Sequence, residues 1–261
     1  MRIPVIEGVI RRRLLLNYRV DPGVVSRLLP TNFTPKIVGG WAIAGICLIR
    51  LEVVRPKGFP AILGVSSENS AHRIAVEWAE GEGGSAPRRE GVFVPRRDTG
   101  SLLNSLGGGR IFPGVHHRSR FEIEDRGGRI AVRVAGGGDG LPLVDVVARE
   151  GEDFPRSSAF GSLKESSAFF EAGCVGYSSR PQSCVMDGLR LKVDEWRVSS
   201  LQVERIRSAF FDDRVVFPVG SIEFDHALLM RDVPHEWHSE RSMTASGAGG
   251  SRGEMGAFIR T

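Results

Sequence analysis

Apolar and polar residues alternate along much of the chain, as in Phe121-Glu122-Ile123-Glu124, Ile130-Ala131-Val132-Arg133-Val134 and Leu189-Arg190-Leu191-Lys192-Val193. A period of two puts every second side chain on one face, so each run predicts a half-buried strand. Glycine, aspartate or proline bounds each run, and Asp125-Arg126-Gly127-Gly128 predicts the turn of an antiparallel hairpin, since tight turns need positive φ. Helical signals are fewer. Asp21 is placed to cap, Pro22 suits the first helical position, Val24, Val25, Leu28 and Leu29 make one apolar face, and Pro30 ends the run. A second helix is predicted from about Ser162, with Leu163, Phe169 and Phe170 inward, to Gly173. Val203 to Phe211 fits neither period cleanly and is read as strand.

Glycines gather at 81–84, 107–109 and 136–140. None of these groups follows a strand and opens a helix as G-x-G-x-x-G, so they read as loops and give no dinucleotide site. With no internal repeat and no linker, residues 1–241 are expected to form one β-rich α+β domain. Its curved antiparallel sheet should close around a cavity under a few helices. The Ser-, Gly- and Ala-rich tail, 242–261, carries too little apolar surface to repay its ordering entropy and is expected to be flexible.

Composition narrows the function classes. The 261 residues hold 35 basic side chains against 31 acids, a net charge of +4, but only Lys36, Lys57, Lys164 and Lys192 are lysine. Arginines spread through strands and turns, without lysine-rich runs or aromatic platforms, argue against a nucleic-acid partner. Cys47, Cys174 and Cys184 have no metal-knuckle spacing and suggest small buried residues in a reducing compartment. Glu7 and Arg11 to Arg13 interrupt the amino-terminal apolar run, so no secretory leader is expected. No stretch approaches the roughly 20 apolar residues that cross a bilayer. A cytoplasmic protein that engages neither membrane nor nucleic acid is expected.

Nucleophilic serine chemistry has no local support, because Gly64-Val65-Ser66-Ser67-Glu68 lacks the second glycine of a nucleophile elbow. His116-His117 would point to opposite faces of a strand, and His235 with His238 is an equally weak pair, so no metal is expected. Glu68, just before the apolar Ile74-Ala75-Val76 and near Arg73, is a candidate acid at a strand end, against the plainer reading of a solvated loop acid. The strongest local signal is Arg88-Arg89-Glu90-Gly91-Val92-Phe93-Val94-Pro95-Arg96-Arg97-Asp98. It sets two arginine pairs around an apolar run, either as an anion pocket or as an outward basic face for an acidic partner.

The spacing Arg89-Glu90, four residues, then Pro95-Arg96-Arg97 resembles the acetoacetate decarboxylase motif, in which two lysines follow the proline. Tyr18-Arg19-Val20-Asp21 with Leu29-Pro30, and Phe224-Asp225-His226-Ala227 with Arg231-Asp232-Val233-Pro234, resemble two further blocks of that superfamily in the same order. Gly188-Leu189, Trp196, Ser208 to Asp213 and Phe217-Pro218 resemble an uncharacterised domain-of-unknown-function branch of it. The resemblance implies a cone-like antiparallel β-barrel around a buried site, often in an oligomer. It also implies a Schiff-base lysine at Arg96, a neighbour at Arg97, a catalytic glutamate at Glu68 and a carboxylate-binding arginine at Arg11.

Arginine at the nucleophile position decides the chemistry. A guanidinium has no free amine to condense with a ketone, so an imine cannot form at Arg96. Arg96 and Arg97 would face opposite sides of a strand, and the alignment nominates Arg96 for the cavity. A cofactor-free pocket for a small carboxylate or carbonyl compound is therefore expected, with Glu68 and Arg96 catalytic and Arg11, Arg73, Arg97, Glu90 and His116 binding. Proton-transfer, lyase or hydratase chemistry without a covalent intermediate would suit it. The competing reading is a non-catalytic carrier or sensor using the same cavity, and Lys192 is the one lysine whose strand could turn it toward a cavity.

Overall fold

The computed structural model describes residues 4–80, 87–101, 113–136, 142–180 and 183–244. Fourteen strands dominate it. They are β1 (Ile6–Val20), β2 (Thr34–Pro35), β3 (Ile37–Val38), β4 (Trp41–Pro56), β5 (Val65–Ala79), β6 (Arg88–Thr99) and β7 (His116–Arg118). Then come β8 (Arg120–Arg126), β9 (Arg129–Ala135), β10 (Pro142–Gly151), β11 (Val175–Ser179), β12 (Val185–Val193), β13 (Ser199–Ser208) and β14 (Ile222–Thr244). The hairpin joining β8 to β9 turns at Gly127 and Gly128, whose φ of 57° and 74° suit a two-residue turn.

Among the described residues, two α-helices accompany the sheet. The first, α1 (Pro22–Ser26), starts where the Asp21 carboxylate accepts from the Gly23 and Val24 amides. It is shorter than its apolar run, because turns replace helix before Pro30. The second, α2 (Leu163–Ala172), is capped by the Ser162 hydroxyl and closed at Gly173. The ambiguous run is strand only to Ser208, after which a turn buries Phe210 and Phe211 in the core.

Strands run in the order β1-β4-β5-β6-β11-β12-β14, and β14 returns to pair with β1, so the sheet curls into a closed ring of seven strands. The expected all-antiparallel barrel is corrected in one respect. β6 pairs in parallel with both β11 and β7, so the sheet is mixed. The 23-residue β14 gives one edge to β1 and divides the other between β12 and β13. From β13 the sheet continues through β10, β9 and β8 as a second layer.

Alternation along the strands therefore feeds two cores. One, with Ile10, Leu15, Ile43, Leu189, Leu228 and Met230, lies on the side that meets Phe160 and, from α2, Phe170. The other, with Leu14, Leu16, Ile46, Val132, Val146 and Phe211, joins the ring to the second layer. Of the expected flexible tail, 242–244 extend β14, while 245–261 lie outside the described residues, as do 81–84, 107–109 and most of the third glycine group. Among the described residues, no helix is long and apolar enough to cross a membrane.

Candidate functional site

A cavity of about 110 Å³ is lined by Arg13 of β1, Ile49 of β4, Arg73 of β5, Val94 of β6, Gly176 of β11, Leu189 of β12 and Trp237 of β14. All seven ring strands contribute, so this is the lumen of the ring. Gly173 and Cys174, at the end of α2, also reach it. Val92, Val94, Leu189 and Leu191 make its walls largely apolar, and Arg13, Arg73 and Arg97 supply three guanidinium groups.

Two of those arginines reach the lumen because a strand slips by one residue. Val92 and Val94 line the cavity, so strict alternation would next send Arg96 there. Between the pairs Ile74–Phe93 and His72–Arg96, however, β6 advances three residues while β5 advances two. This bulge holds Pro95, which has no N–H to lose from the ladder. The phase flips, Arg97 enters the lumen and Arg96 points to the other core. In β1 the pairs Ile10–Leu51 and Arg12–Arg50 leave Arg11 as the extra residue. Ile10 and Arg13 then share the lumen face, with Arg12 on the reverse.

The lumen arginines have no ion-pair partner among the described residues. Arg97 Nε donates to Ser178 Oγ at 3.3 Å. Arg13 Nε donates to Cys47 Sγ at 3.3 Å, while its Nη1 is buried without a hydrogen-bond partner. Arg73 is 5% exposed, lies 4.5 Å over the Phe170 ring and donates through Nη2 to Asn17 Oδ1, leaving its buried Nε unpartnered. Burial pushes Arg73 down to about 9 and Arg97 down to about 10, so both remain cationic at neutral pH. Asp98 also touches the lumen, but its carboxylate accepts from Arg96 Nη2 and from Ser119 Oγ, each at 3.0 Å.

Behind Arg73 lies a buried hydrogen-bond chain. Asn17 Nδ2 lies 2.9 Å from His226 Nε2, and Ser166 Oγ is 2.7 Å from the same nitrogen. His226 Nδ1 meets Asp225 Oδ1 at 2.5 Å. An ionised Asp225 keeps the ring proton on Nδ1, so Nε2 accepts from both Asn17 and Ser166. Burial lowers the imidazole and keeps it neutral. Burial alone would raise Asp225, but hydrogen bonds from His226, Ser158 and the Ala159 amide outweigh it and hold the carboxyl low. This serine–histidine–aspartate set resembles a hydrolytic triad in contacts only. Ser166 and His226 are fully buried and neither lines the lumen. Its effect is to orient Asn17, and through it Arg73.

The candidates from the sequence separate into two groups. Arg73, Arg97 and His116 come together on the lumen wall. Arg96 does not join them: it is 2% exposed, paired with Asp98 and absent from the lumen wall, the consequence of the bulge. Arg11, the bulged residue of β1, sits in solvent with Glu52 at 3.0 Å and Asp232 at 2.5 Å. Glu90 pairs with Lys36 away from the cavity. Glu68 faces the second layer, where Arg12 holds it at 2.9 Å, and burial raises its carboxyl despite Arg12 and Arg50. Arg12 also reaches Asp125, which pairs with Arg231. Glu68 therefore belongs to an ionic seam joining ring and second layer.

The outward basic face is not formed. Arg88 pairs with Glu77 and Arg89 with Glu80 at the surface, while Arg96 and Arg97 go inward. None of the four lysines lines the lumen, and Lys192 is exposed. Sequence reasoning missed Arg13 and Cys47. The run Arg11-Arg12-Arg13 pointed to the place, but only the pairing register shows which of the three turns inward.

Residues 9–148 match the family model DUF2071, described as an uncharacterized conserved protein. No sequence match to a curated protein was found. Among solved structures, the chain is similar to an acetoacetate decarboxylase from Legionella pneumophila subsp. pneumophila str. Philadelphia 1. They share 10% identity and a TM-score of 0.59 over 92% of this chain and 88% of the other. It is also similar to the enduracididine biosynthesis enzyme MppR complexed with pyruvate, at 11% identity and a TM-score of 0.58 over 95% and 93%. A third is an acetoacetate decarboxylase-like enzyme from Sphingomonas wittichii RW1, at 12% identity and a TM-score of 0.57 over 93% and 95%. At such identities the likeness shows the fold, which is acetoacetate decarboxylase-like.

Proposed function

The chain belongs to the DUF2071 family, and we propose that its lumen binds a short anionic carbonyl or carboxylate compound. The observation that carries this reading is the trio Arg13, Arg73 and Arg97, gathered in one apolar-walled cavity with no carboxylate paired to them among the described residues. Buried charge left unbalanced is costly, and an anionic ligand removes that cost with charge-assisted hydrogen bonds. Size agrees. An apolar cavity of about 150 Å³ admits benzene, so about 110 Å³ suits a ligand of roughly six heavy atoms. Pyruvate has that size, and the similar MppR structure is a complex with pyruvate.

Because no lysine lines the cavity, the chemistry does not pass through an imine. Arginines placed against an enolate favour proton transfer, lyase or hydratase reactions, with His116 on the wall to move the proton. Calorimetric titration with pyruvate and acetoacetate tests the binding, with acetone as the uncharged control. Arg97→Met should weaken both acids by about 10- to 100-fold, the worth of one charged hydrogen bond, and acetone should not bind measurably. Equal affinities for wild type and variant would refute the site. A carrier or sensor is favoured by one observation: the only carboxylate on the described wall, Asp98, is already engaged by Arg96 and Ser119. Deuterium exchange into the pyruvate methyl, followed by NMR, separates the two. Exchange marks an enzyme, and binding without exchange marks a carrier.

A further inference from the structure

Cys47 stands on β4 inside the lumen, 8% exposed, with its sulfur accepting from Arg13 Nε at 3.3 Å. Arg73 and Arg97 line the same cavity, so three guanidiniums share the wall with this sulfur. Cys174 shares the wall but differs. Its Sγ lies 3.7 Å from the Phe170 carbonyl, and burial raises its thiol. Cysteines act as nucleophiles in electropositive surroundings that a substrate can reach, and the thiolate is the attacking form. The independent sign of a ligand here is Arg73, 5% exposed, with its buried Nε unpartnered at the cavity.

Resting on the binding reading above, we propose that Cys47 is a covalent nucleophile toward 2-oxo acids seated in the lumen. With the carboxylate held by the arginines, the sulfur attacks the adjacent carbonyl carbon. An S–C bond forms, the C=O π pair moves to oxygen, and the thiol proton ends on that oxygen. The product is a neutral-headed thiohemiketal, formed reversibly without oxidant or cofactor, and an oxyanion developing at that oxygen meets guanidinium donors. This is a substrate-capture function for a side chain that has no role in the fold beyond filling the wall.

Two measurements on the intact protein decide it. [2-¹³C]Pyruvate bound to wild type should show a protein-bound tetrahedral carbon, and Cys47→Ala should bind pyruvate with the carbonyl signal retained. Competitive alkylation then uses 3-bromopyruvate against neutral iodoacetamide, read by peptide mass spectrometry. Attack on the bromomethyl carbon forms S–C, expels bromide and releases the thiol proton. Exposed Cys184 serves as the internal reference. Relative to Cys184, Cys47 should prefer bromopyruvate by about tenfold, pyruvate should protect it, and Arg97→Met should abolish the preference. Pyruvate that binds with an unaltered carbonyl, or a Cys47 labelled no faster than Cys184, overturns the nucleophile while leaving the binding reading intact. Failure of pyruvate to bind wild type at all overturns both.

Discussion

Arg96 and Asp98 form a pair whose side chains are each 1% exposed, bonded at 3.0 Å, with Asp98 at the lumen wall and Arg96 behind it. The strength of such a pair lies less in its attraction than in the penalty for breaking it, because a lone buried charge cannot recover its hydration. Asp98→Ala should therefore cost about 3–5 kcal/mol in urea unfolding, while the double variant Arg96→Met with Asp98→Leu should recover most of that loss. A double variant as unstable as the single one would mean that the pair contributes specific hydrogen bonds rather than a balanced charge. The position where the resemblance implied a nucleophile thus does structural service, and Arg97, one residue on, faces the cavity instead.

At the scale of elements, the ring closes through a narrow joint. β6 and β11 pair in parallel over Val92–Gly176 and Phe93–Tyr177 only. Gly91 permits the approach, since a Cβ there would lie 2.4 Å from the Val175 carbonyl oxygen and 3.1 Å from the Trp78 ring. Gly91→Ala must push β11 outward. A loss of about 1–3 kcal/mol is expected, with faster hydrogen exchange concentrated in 175–179. Unchanged exchange there would show that the joint tolerates the methyl. The hairpin at Gly127-Gly128, the cap at Asp21 and the helix start near Ser162 are written in neighbouring residues, and the structure has them. A parallel pairing or a bulge depends on the partner strand. Local spacing therefore points to Arg73, Arg97 and His116, but it gives Arg96 the wrong face and leaves Arg13 and Cys47 unmarked.

Across the whole molecule, three imidazoles are buried in three places. His72 packs against Phe210 and Phe211 outside the ring, His226 lies in the chain behind Arg73, and His235 lies beside Trp237 on β14. Burial pushes His72 and His235 down to about 4 and lowers His226 as well. In the unfolded chain each would titrate near about 6.5. Between those values the unfolded state binds protons that the folded state refuses, so acid favours unfolding and stability rises with pH across the window. Each group contributes a slope approaching 1.4 kcal/mol per pH unit, about 3 kcal/mol for His72 by pH 4. Asp225 and Asp125, held low by their partners, add their own loss only below the ordinary carboxylate range. Urea unfolding from pH 7.5 to about 4 should therefore show stability level above about 6.5 and falling below it, with two to three protons taken up on unfolding. A His72→Gln variant should flatten the slope by one proton. A profile level down to about pH 5 would mean that these imidazoles ionise inside the fold, and the neutral His226 that orients Asn17 and Arg73 would fall with it.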